Sequence, residues 1–162
     1  MNEPGQKNDY LAEHAELLIS SYHRLTGKDL VKKGLPDTEK YRALYDAPYA
    51  VVSHGTEDDP VFNYGNRTAL SLFQMQWQEF TTLPSRKSAE PQNRAERERL
   101  LTRVTQDGFI DDYRGIRISS TGKRFWIEDA TVWNLVNGNG VYCGQAAVFH
   151  RWMALEPGSV EK

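Results

Sequence analysis

The residues whose types could support catalysis or metal binding are few and widely separated. The four histidines are His14, His23, His54 and His150. Two lie nine residues apart on one predicted helix and two end separate predicted strands, so no metal cluster is expected. Cys143 has no neighbouring histidine in sequence, which favours a small buried hydrophobic residue over a thiolate nucleophile. Glu128 and Asp129 are adjacent on a predicted strand and must point to opposite faces, so they form no local carboxylate pair.

Hydrophobic periodicity and turn residues predict the elements that position these side chains. Leu18, Tyr22 and Leu25 recur near helical spacing, whereas the stretches after Pro48 and Gly108 are rich in β-prone residues. The predicted helices span residues 8–25, 37–46, 68–73 and 91–105. The predicted strands span residues 49–54, 61–64, 109–119, 123–135 and 141–152. This order predicts an α+β domain with a helical lead-in.

Composition indicates a globular chain with no overall attraction to nucleic acid or membranes. It has 162 residues, 39% hydrophobic and 26% charged, and a net charge of −2. The polar N-terminus, the short apolar stretches and the single cysteine predict a cytoplasmic chain without a membrane span. Mixed charges on the helix at 91–105 favour a solvated face over a DNA-reading one. We expect a helical extension over 1–47, a folded domain over 48–152 and a flexible tail over 153–162.

The order of two strands, helices and three further strands resembles that of PAS domains. DPVFNYGN at 59–66 is similar to their second strand and first helix, and GKRFW at 122–126 is similar to part of their C-terminal half. Within that superfamily, LPSRKSA at 83–89, RGIRISSTG at 114–122 and FWIEDATVW at 125–133 most resemble the MEKHLA domain. The resemblance covers about residues 41–149. It implies a PAS-like five-stranded antiparallel sheet in the order 2-1-5-4-3 with helices on one face, and it points to the stand-alone bacterial type of MEKHLA protein.

Matching residues 125–126 to the light-oxygen-voltage (LOV) branch of PAS domains implies which side chains face the helices. The residues expected to face inward are Asn63, Tyr113, Gly115, Arg117, Ile127, Asp129, Thr131, Trp133, Gln145, Ala147 and Phe149. The residues expected on the outer face are Ile116, Ile118, Trp126, Ala130 and Val132. Because these are too apolar to be left in water, we expect the N-terminal helix to cover them, within the chain or across a dimer.

Ten residues are candidates for a ligand-binding site on the helix side of the sheet. They are Asn63, Phe73, Trp77, Phe80, Arg86, Ser88, Arg117, Asp129, Thr131 and Gln145. Arg117 and Asp129 either bind a polar or anionic ligand or, the favoured alternative, form an internal ion pair. Arg86 and Ser88 either grip an anion or cap the following helix. The aromatic residues either stack on a planar ligand or, as is more usual, belong to the core; Asn66, outside this set, is expected to cap a helix.

The resemblance also indicates cofactor chemistry that this chain lacks the residues for. LOV domains place a photoreactive cysteine in a stretch that corresponds to TTLPSR at 81–86, which contains none, so we expect no flavin-cysteinyl photochemistry. Haem-binding PAS domains supply an axial histidine from the long helix, and residues 92–105 contain none. The identity of any ligand stays open.

These features predict a non-catalytic sensory module that binds a small molecule or a partner protein. It would signal through rearrangement of its helices or of a homodimer formed through the N-terminal helix or the outer sheet face. The downstream partner protein is unknown. The alternative is a small-pocket enzyme on the same scaffold, with Arg117, Asp129 and Arg86 as acid, base and anion clamp.

Overall fold

An antiparallel sheet organises the part of the chain that the computed structural model describes, residues 2–91 and 94–155. The helices are α1 (Ala12–Thr26), α2 (Asp37–Tyr45), α3 (Arg67–Phe73), α4 (Trp77–Phe80) and α5 (Arg94–Asp107), with 3-10 turns at Gln6–Asn8 and Ser85–Ser88. The strands are β1 (Ala50–His54), β2 (Phe62–Gly65), β3 (Phe109–Ile118), β4 (Arg124–Val136), β5 (Tyr142–Phe149) and β6 (Arg151–Ala154). Five strands follow the order β2-β1-β5-β4-β3, which confirms the predicted fold, and β6 pairs with β4.

The C-terminal strand differs from the single strand predicted over 141–152. It is interrupted at His150, because β5 pairs with β1 and the second half of β4 whereas β6 pairs with the first half of β4. Met153 and Ala154 belong to β6, and residues 156–162 of the expected tail lie outside the described residues. Helix α5 corresponds to the helix predicted from Pro91, of which residues 92–93 also lie outside the described ranges.

Strand β4 contains a bulge that changes which of its side chains face the helices. Tyr113 pairs with Ala130 and Gly115 with Ile127, so three steps along β4 lie opposite two steps along β3. The extra residue region includes Asp129, whose backbone is left-handed with φ 49°. Aspartate adopts this conformation more readily than most residues other than glycine. Side chains before and after the bulge therefore alternate out of phase.

Helix α1 covers the outer face of the sheet over β1 and the second half of β4. The ring of Tyr22 meets the ring of Trp133 edge-on, with 4.9 Å between centroids. The Ser21 hydroxyl donates to the carbonyl oxygen of Val136 and accepts from its amide, both at 3.1 Å. Leu18 is fully buried between helix and sheet. Helix α1 therefore covers part of the outer face from within the same chain, but the residues it packs against, such as Trp133 and Val136, are not the five that it was predicted to cover.

The outer face of the first half of β4 has a different cover. The guanidinium of Arg114 lies 3.9 Å from the ring centroid of Trp126 and pairs with Glu128 at 3.0 Å. Met153, the cross-strand neighbour of Trp126, is 61% exposed. Trp126 and Met153 together form an outer patch. Arg114 covers Trp126, whereas Met153 is exposed to solvent.

Candidate ligand-binding site

A cavity of about 670 Å³ lies between the inner face of the sheet and two stretches of chain, residues 85–91 and residues 97–101 of α5. The apolar part of its lining is Val52, Phe62, Phe73, Leu100, Ile127, Val132, Ala147 and Phe149. Arg86, Arg97 and Leu101 also line it and are exposed, so they form its rim. A mostly apolar cleft of this size with a few polar groups is typical of a small-molecule site.

Arg117 enters this cavity from β3. Its backbone pairs with Phe125 of β4 on one side and bridges to Ala89 on the other. Its Nη1 donates to the carbonyl oxygen of Ile116 at 3.3 Å, and its guanidinium lies 5.6 Å from the ring centroid of Tyr113. No carboxylate within residues 2–91 and 94–155 lies within 4.0 Å of the guanidinium. Arg117 is therefore a half-buried cation with no counter-ion among those residues.

Tyr113 and Gly115 share the inner face of β3 with Arg117. Tyr113 is 0% exposed, and its hydroxyl has no hydrogen-bond partner among the described residues. A Cβ atom placed on Gly115 would lie 2.9 Å from the Tyr113 hydroxyl oxygen and 3.3 Å from Arg117 Nη1. The two polar groups thus converge over the glycine. A buried hydroxyl without a partner costs about 1–3 kcal/mol, so a ligand that accepts its hydrogen bond would recover free energy.

Two other charged groups of the lining already have partners. Arg86 Nε donates to both carboxylate oxygens of Asp59, at 3.0 and 3.1 Å. Glu90 pairs with Arg124. Arg97 has no such partner in the described part of the chain. The uncompensated charges around the cavity are therefore positive.

Neutral polar groups of the lining are tied into the fold. Gln145 of β5 donates through Nε2 to Asn134 Oδ1 at 3.1 Å, and Asn134 Nδ2 donates to the carbonyl oxygen of Val104 in α5 at 3.1 Å. The Ser88 hydroxyl donates to the carbonyl oxygen of Ser85 at 2.7 Å. The hydrogen bonds of Gln145 and Asn134 connect the sheet to α5, and the hydrogen bond of Ser88 closes the 3-10 turn.

Five of the ten predicted ligand-binding residues line the cavity and five lie elsewhere. The residues that line it are Phe73, Arg86, Ser88, Arg117 and Gln145. The residues that lie elsewhere are Asn63, Trp77, Phe80, Asp129 and Thr131. The five residues outside the cavity are displaced for different physical reasons.

The expectation that Asp129 and Thr131 face the cavity is wrong, because the bulge reverses the alternation of β4. Asp129 lies at the surface, 3.3 Å from Arg151, so the favoured internal ion pair with Arg117 does not form. Thr131 lies on the outer face, two residues from Trp133, beside Tyr22 of α1. The inserted residue in β4 thus keeps Asp129 away from Arg117 of the neighbouring strand β3.

The same bulge corrects three further assignments. Trp133, expected to face the cavity, packs against α1 on the outer face. Val132, expected on the outer face, lines the cavity, and Ala130 shares its side of the strand. The outer assignments of Ile116 and Trp126, which precede the bulge, agree with the observed pairing.

Trp77 and Phe80 belong to the hydrophobic core, as the alternative interpretation of the aromatic residues holds. The ring of Phe80 stacks on Phe62 with 4.2 Å between centroids, and Trp77 meets Tyr64 edge-on at 6.0 Å. Both side chains are buried. Neither side chain lines the cavity, although Phe80 packs against Phe62, which does.

Asn63 belongs to a polar seam between the sheet and α1, formed by His14, Ser53 and Asn63. The Ser53 hydroxyl donates to Asn63 Oδ1 at 2.5 Å and lies 2.9 Å from His14 Nε2. Since the hydroxyl proton is already used, His14 Nε2 carries the hydrogen that points at Ser53. The His14 ring stacks on Tyr64 at 5.6 Å. Burial lowers the pKa of His14 from 6.5 to about 4, so the ring is neutral near pH 7.

Two residues that line the cavity, Tyr113 and Arg97, and the neighbouring Gly115 are not among the ten predicted site residues. Tyr113 and Gly115 were expected to face inward but not to bind, and Arg97 was assigned to a solvated helix face. The motif YRGIR at 113–117 carries the relevant signal, since strand alternation puts its tyrosine, glycine and second arginine on one face.

Metal binding has no support in the described residues: none of their His, Cys, Asp and Glu side chains form a group of three suited to an ion. A separate search of that part of the chain for bilayer-crossing helices found none of sufficient length and apolarity.

Comparison with protein families identifies the chain over most of its length. The model of the MEKHLA domain matches residues 12–154. The chain belongs to the MEKHLA domain family. The match runs from the first residue of α1 to the last residue of β6, and is thus wider than the stretch 41–149 that carries the resemblance in sequence. The curated proteins contain no match to the chain.

Solved structures similar to this MEKHLA domain are PAS and LOV domains. A PAS domain from Colwellia psychrerythraea is 14% identical, with a TM-score of 0.56 over 68% of this chain and 92% of that chain. An RNA-binding light-oxygen-voltage receptor is 19% identical, with a TM-score of 0.59 over 75% of this chain and 35% of that chain. The photo-excited blue-light photoreceptor Vivid is 11% identical, with a TM-score of 0.55 over 82% and 92%. These likenesses establish the PAS-like fold.

Proposed function

We propose that this MEKHLA domain is a non-catalytic sensory module that binds a small organic molecule in the inner cavity and transmits binding through α1. The supporting observation is the cavity of about 670 Å³, which is mostly apolar and is lined by a tyrosine hydroxyl without a hydrogen-bond partner and an arginine without a counter-ion among the described residues. The likeness to a blue-light photoreceptor and other PAS-type structures supports a sensory role.

The route to α1 is short because the same strands serve both faces. On β4, Val132 lines the cavity while its neighbour Trp133 packs against Tyr22 of α1. On β1, Val52 lines the cavity while Ser53 hydrogen-bonds His14 of α1. A ligand that shifts either strand therefore changes how α1 packs against the sheet. Differential binding to two arrangements of this interface would shift their populations.

The three residues that the enzyme alternative requires do not come together in the cavity. Asp129, the required base, lies outside the cavity and pairs with Arg151. Arg86, the required clamp, is held at the rim by Asp59. Arg117 alone remains inside. The acid and base named for that reaction do not converge among the described residues, so the proposal is ligand binding without chemistry.

A homodimer is part of the proposal and is expected to involve the outer patch. Helix α1 occupies the outer face over β1 and the second half of β4, whereas Met153 of the patch stays exposed beside Trp126. We expect light scattering to give twice the chain mass of 18.6 kDa, and Met153→Glu to return it towards a monomer. The matched control is Leu101→Glu, an exposed apolar residue of α5. A monomer in the unchanged chain at 200 µM would remove the dimer from the proposal.

The remaining partners are proposed more coarsely. A downstream signalling protein is required because a non-catalytic sensor needs an output. Direct nucleic-acid binding is not proposed, since the net charge is −2. A cytoplasmic location accords with the single cysteine, Cys143, which makes no internal disulfide.

The test of ligand binding uses the full chain and a panel of small organic acids, amines and neutral compounds at 1 mM. A compound present at 100 times its Kd stabilises the folded state by about 2.7 kcal/mol and should raise Tm by about 5–10 °C. Native mass spectrometry of freshly purified protein looks for a co-purified molecule in parallel. We expect Ala147→Phe, which fills the cavity, to abolish the shift, and Ala154→Phe on exposed β6 to leave it unchanged. Absence of any shift together with absence of a co-purified molecule would overturn the proposed function.

A further inference from the structure

We propose that the ligand of the cavity is a small organic carboxylate whose head group is bound by Arg117 and Tyr113, with an apolar body against the sheet. This inference rests on the proposed function, because it names the chemical class that the cavity accepts. It goes further in assigning a binding role to two side chains and a glycine of β3.

The charge at the site calls for an anion. Arg117 faces the cavity with no carboxylate of the described residues within 4.0 Å. Glu90, an acidic residue of the cavity lining, forms an ion pair with Arg124. Arg97 on α5 adds a second uncompensated cation at the rim. A guanidinium held over an apolar cavity gains most from a partner that is charged and can accept two parallel hydrogen bonds.

The unpartnered hydroxyl of Tyr113 supplies a second donor beside the guanidinium. It is fully buried on a residue that lines the cavity. Folding has desolvated it without giving it an acceptor in residues 2–91 or 94–155, so the site is prepared to donate one hydrogen bond. A carboxylate has two oxygens, and each can accept hydrogen bonds from both donors.

Gly115 lets the Tyr113 hydroxyl and the Arg117 guanidinium approach the same point over β3. A Cβ atom there would lie 2.9 Å from the Tyr113 hydroxyl oxygen, closer than Cβ atoms normally approach, and 3.3 Å from Arg117 Nη1. Gly115 pairs with Ile127 at the edge of the bulge between β3 and β4. A side chain at this position would therefore displace the Tyr113 hydroxyl from its place near the guanidinium.

The rest of the lining selects the body of the ligand. The side chains of Phe73, Ile127, Val132 and Phe149 present aromatic and branched aliphatic surface. A hydrophobic body of one ring or a short alkyl chain would be buried there. Because a single half-buried arginine is uncompensated and the second lies at the rim, the site fits one negative charge better than the two of a phosphate monoester.

The experiment compares acids with their uncharged amides on the full chain. The probes are 3-phenylpropionate against 3-phenylpropionamide, hexanoate against hexanamide, and any acid found in the wider panel, with phenyl phosphate as the doubly charged alternative. Calorimetry and thermal shift at pH 7.5 measure binding. We expect each binding acid to bind at least tenfold more tightly than its amide, and more tightly than phenyl phosphate.

Four variants assign the head-group contacts. Arg117→Gln should weaken acid binding at least tenfold and leave amide binding unchanged. Tyr113→Phe should weaken acid binding severalfold without lowering the Tm of the free protein, because its hydroxyl has no hydrogen-bond partner to lose among the described residues. Gly115→Ala should weaken acid binding by displacing the Tyr113 hydroxyl, which the new Cβ atom would approach to 2.9 Å. The matched control is Arg114→Gln, an arginine on the opposite face of the same strand, which should bind acids as the unchanged chain does.

The outcomes separate this inference from the function on which it rests. Binding of panel compounds with no preference for acids, or with the same affinity in Arg117→Gln, overturns the carboxylate assignment and leaves ligand sensing intact. Preference for phenyl phosphate over the carboxylates overturns the assignment to a single charge. Absence of any binding, acid or neutral, overturns ligand sensing itself. If Arg117→Gln fails to fold, Tyr113→Phe decides the question through its unchanged stability and altered affinity.

Discussion

Replacement of Asn66 by alanine should lower the free energy of unfolding by about 4 kcal/mol, more than the loss of an ordinary helix cap. Asn66 is 0% exposed, and its side chain makes four hydrogen bonds. Its Oδ1 accepts from the amides of Val51 at 3.0 Å and Ala69 at 3.1 Å. Its Nδ2 donates to the carbonyl oxygens of Tyr49 at 2.8 Å and Leu44 at 3.1 Å. Alanine would leave buried backbone groups from three segments without this partner.

The measurement is urea unfolding of Asn66→Ala beside Asn139→Ala, an exposed asparagine in the turn between β4 and β5. We expect the control to change stability by less than about 0.5 kcal/mol. Asn66→Asp keeps both acceptor contacts but loses the donors, so it should also be strongly destabilised near pH 7. A loss below about 1 kcal/mol in Asn66→Ala would mean that water or backbone movement replaces the side chain.

Asn66 illustrates how far sequence reasoning reaches. Its role as a helix cap is predicted by its place before an apolar helical stretch, and the structure confirms it through the contact with Ala69. The other three contacts join α3 to β1 and to the end of α2. They depend on how those elements pack, and local pattern carries no information about that.

The strand order was predictable because runs of β-prone residues and glycine-containing turns are local signals, and the resemblance to PAS domains supplied the topology. The facing of side chains was predictable only up to Asp129. One inserted residue moves every later side chain to the other face. The pattern carried a warning, since aspartate is rare inside strands and adopts a left-handed backbone more easily than most residues. A bulge at Asp129 would have placed Trp133 and Val132 correctly.

The candidate site was half predictable for a related reason. Arg117 lies before the bulge on an unbroken part of β3, so its inward position followed from alternation. Its lack of an acidic partner did not follow, because Asp129 stood one register step from the position expected. The partnerless hydroxyl of Tyr113 is a property of the packed core. Only coordinates can reveal such an absence of partners among the described residues.

The second large effect concerns pH and the seam that joins α1 to the sheet. Burial lowers the pKa of His14 from 6.5 to about 4 in the folded chain. The unfolded chain therefore binds a proton on His14 between these values while the folded chain does not. Stability is complete above pH 6.5 and is lost as pH falls towards 4. The shift corresponds to a loss of about 2.5 kcal/mol between pH 7.5 and 4.5.

Comparison with His14→Gln isolates this contribution. Glutamine keeps a donor for Ser53 but does not titrate, so its unfolding free energy should stay nearly constant between pH 7.5 and 5. Glu16 titrates lower: burial would raise its pKa, but hydrogen bonds from Lys40 and Tyr41 outweigh burial and hold it below 4.5. Its contribution is therefore lost only at more acid pH.

Equal pH dependence in the unchanged chain and in His14→Gln would show that the imidazole is protonated in the folded state. The ring would then need an acceptor for both of its nitrogens, and Ser53, whose proton is used by Asn63, could satisfy only one. Amide hydrogen exchange of α1 supplies the functional reading of the same experiment. If exchange in α1 rises with acid in the unchanged chain but not in His14→Gln, the proton acts at the seam between helix and sheet. Both the seam and the cavity involve β1. Protonation of His14, which would loosen α1 from the outer face of β1, would therefore act on the same strand that a ligand contacts from the inner face.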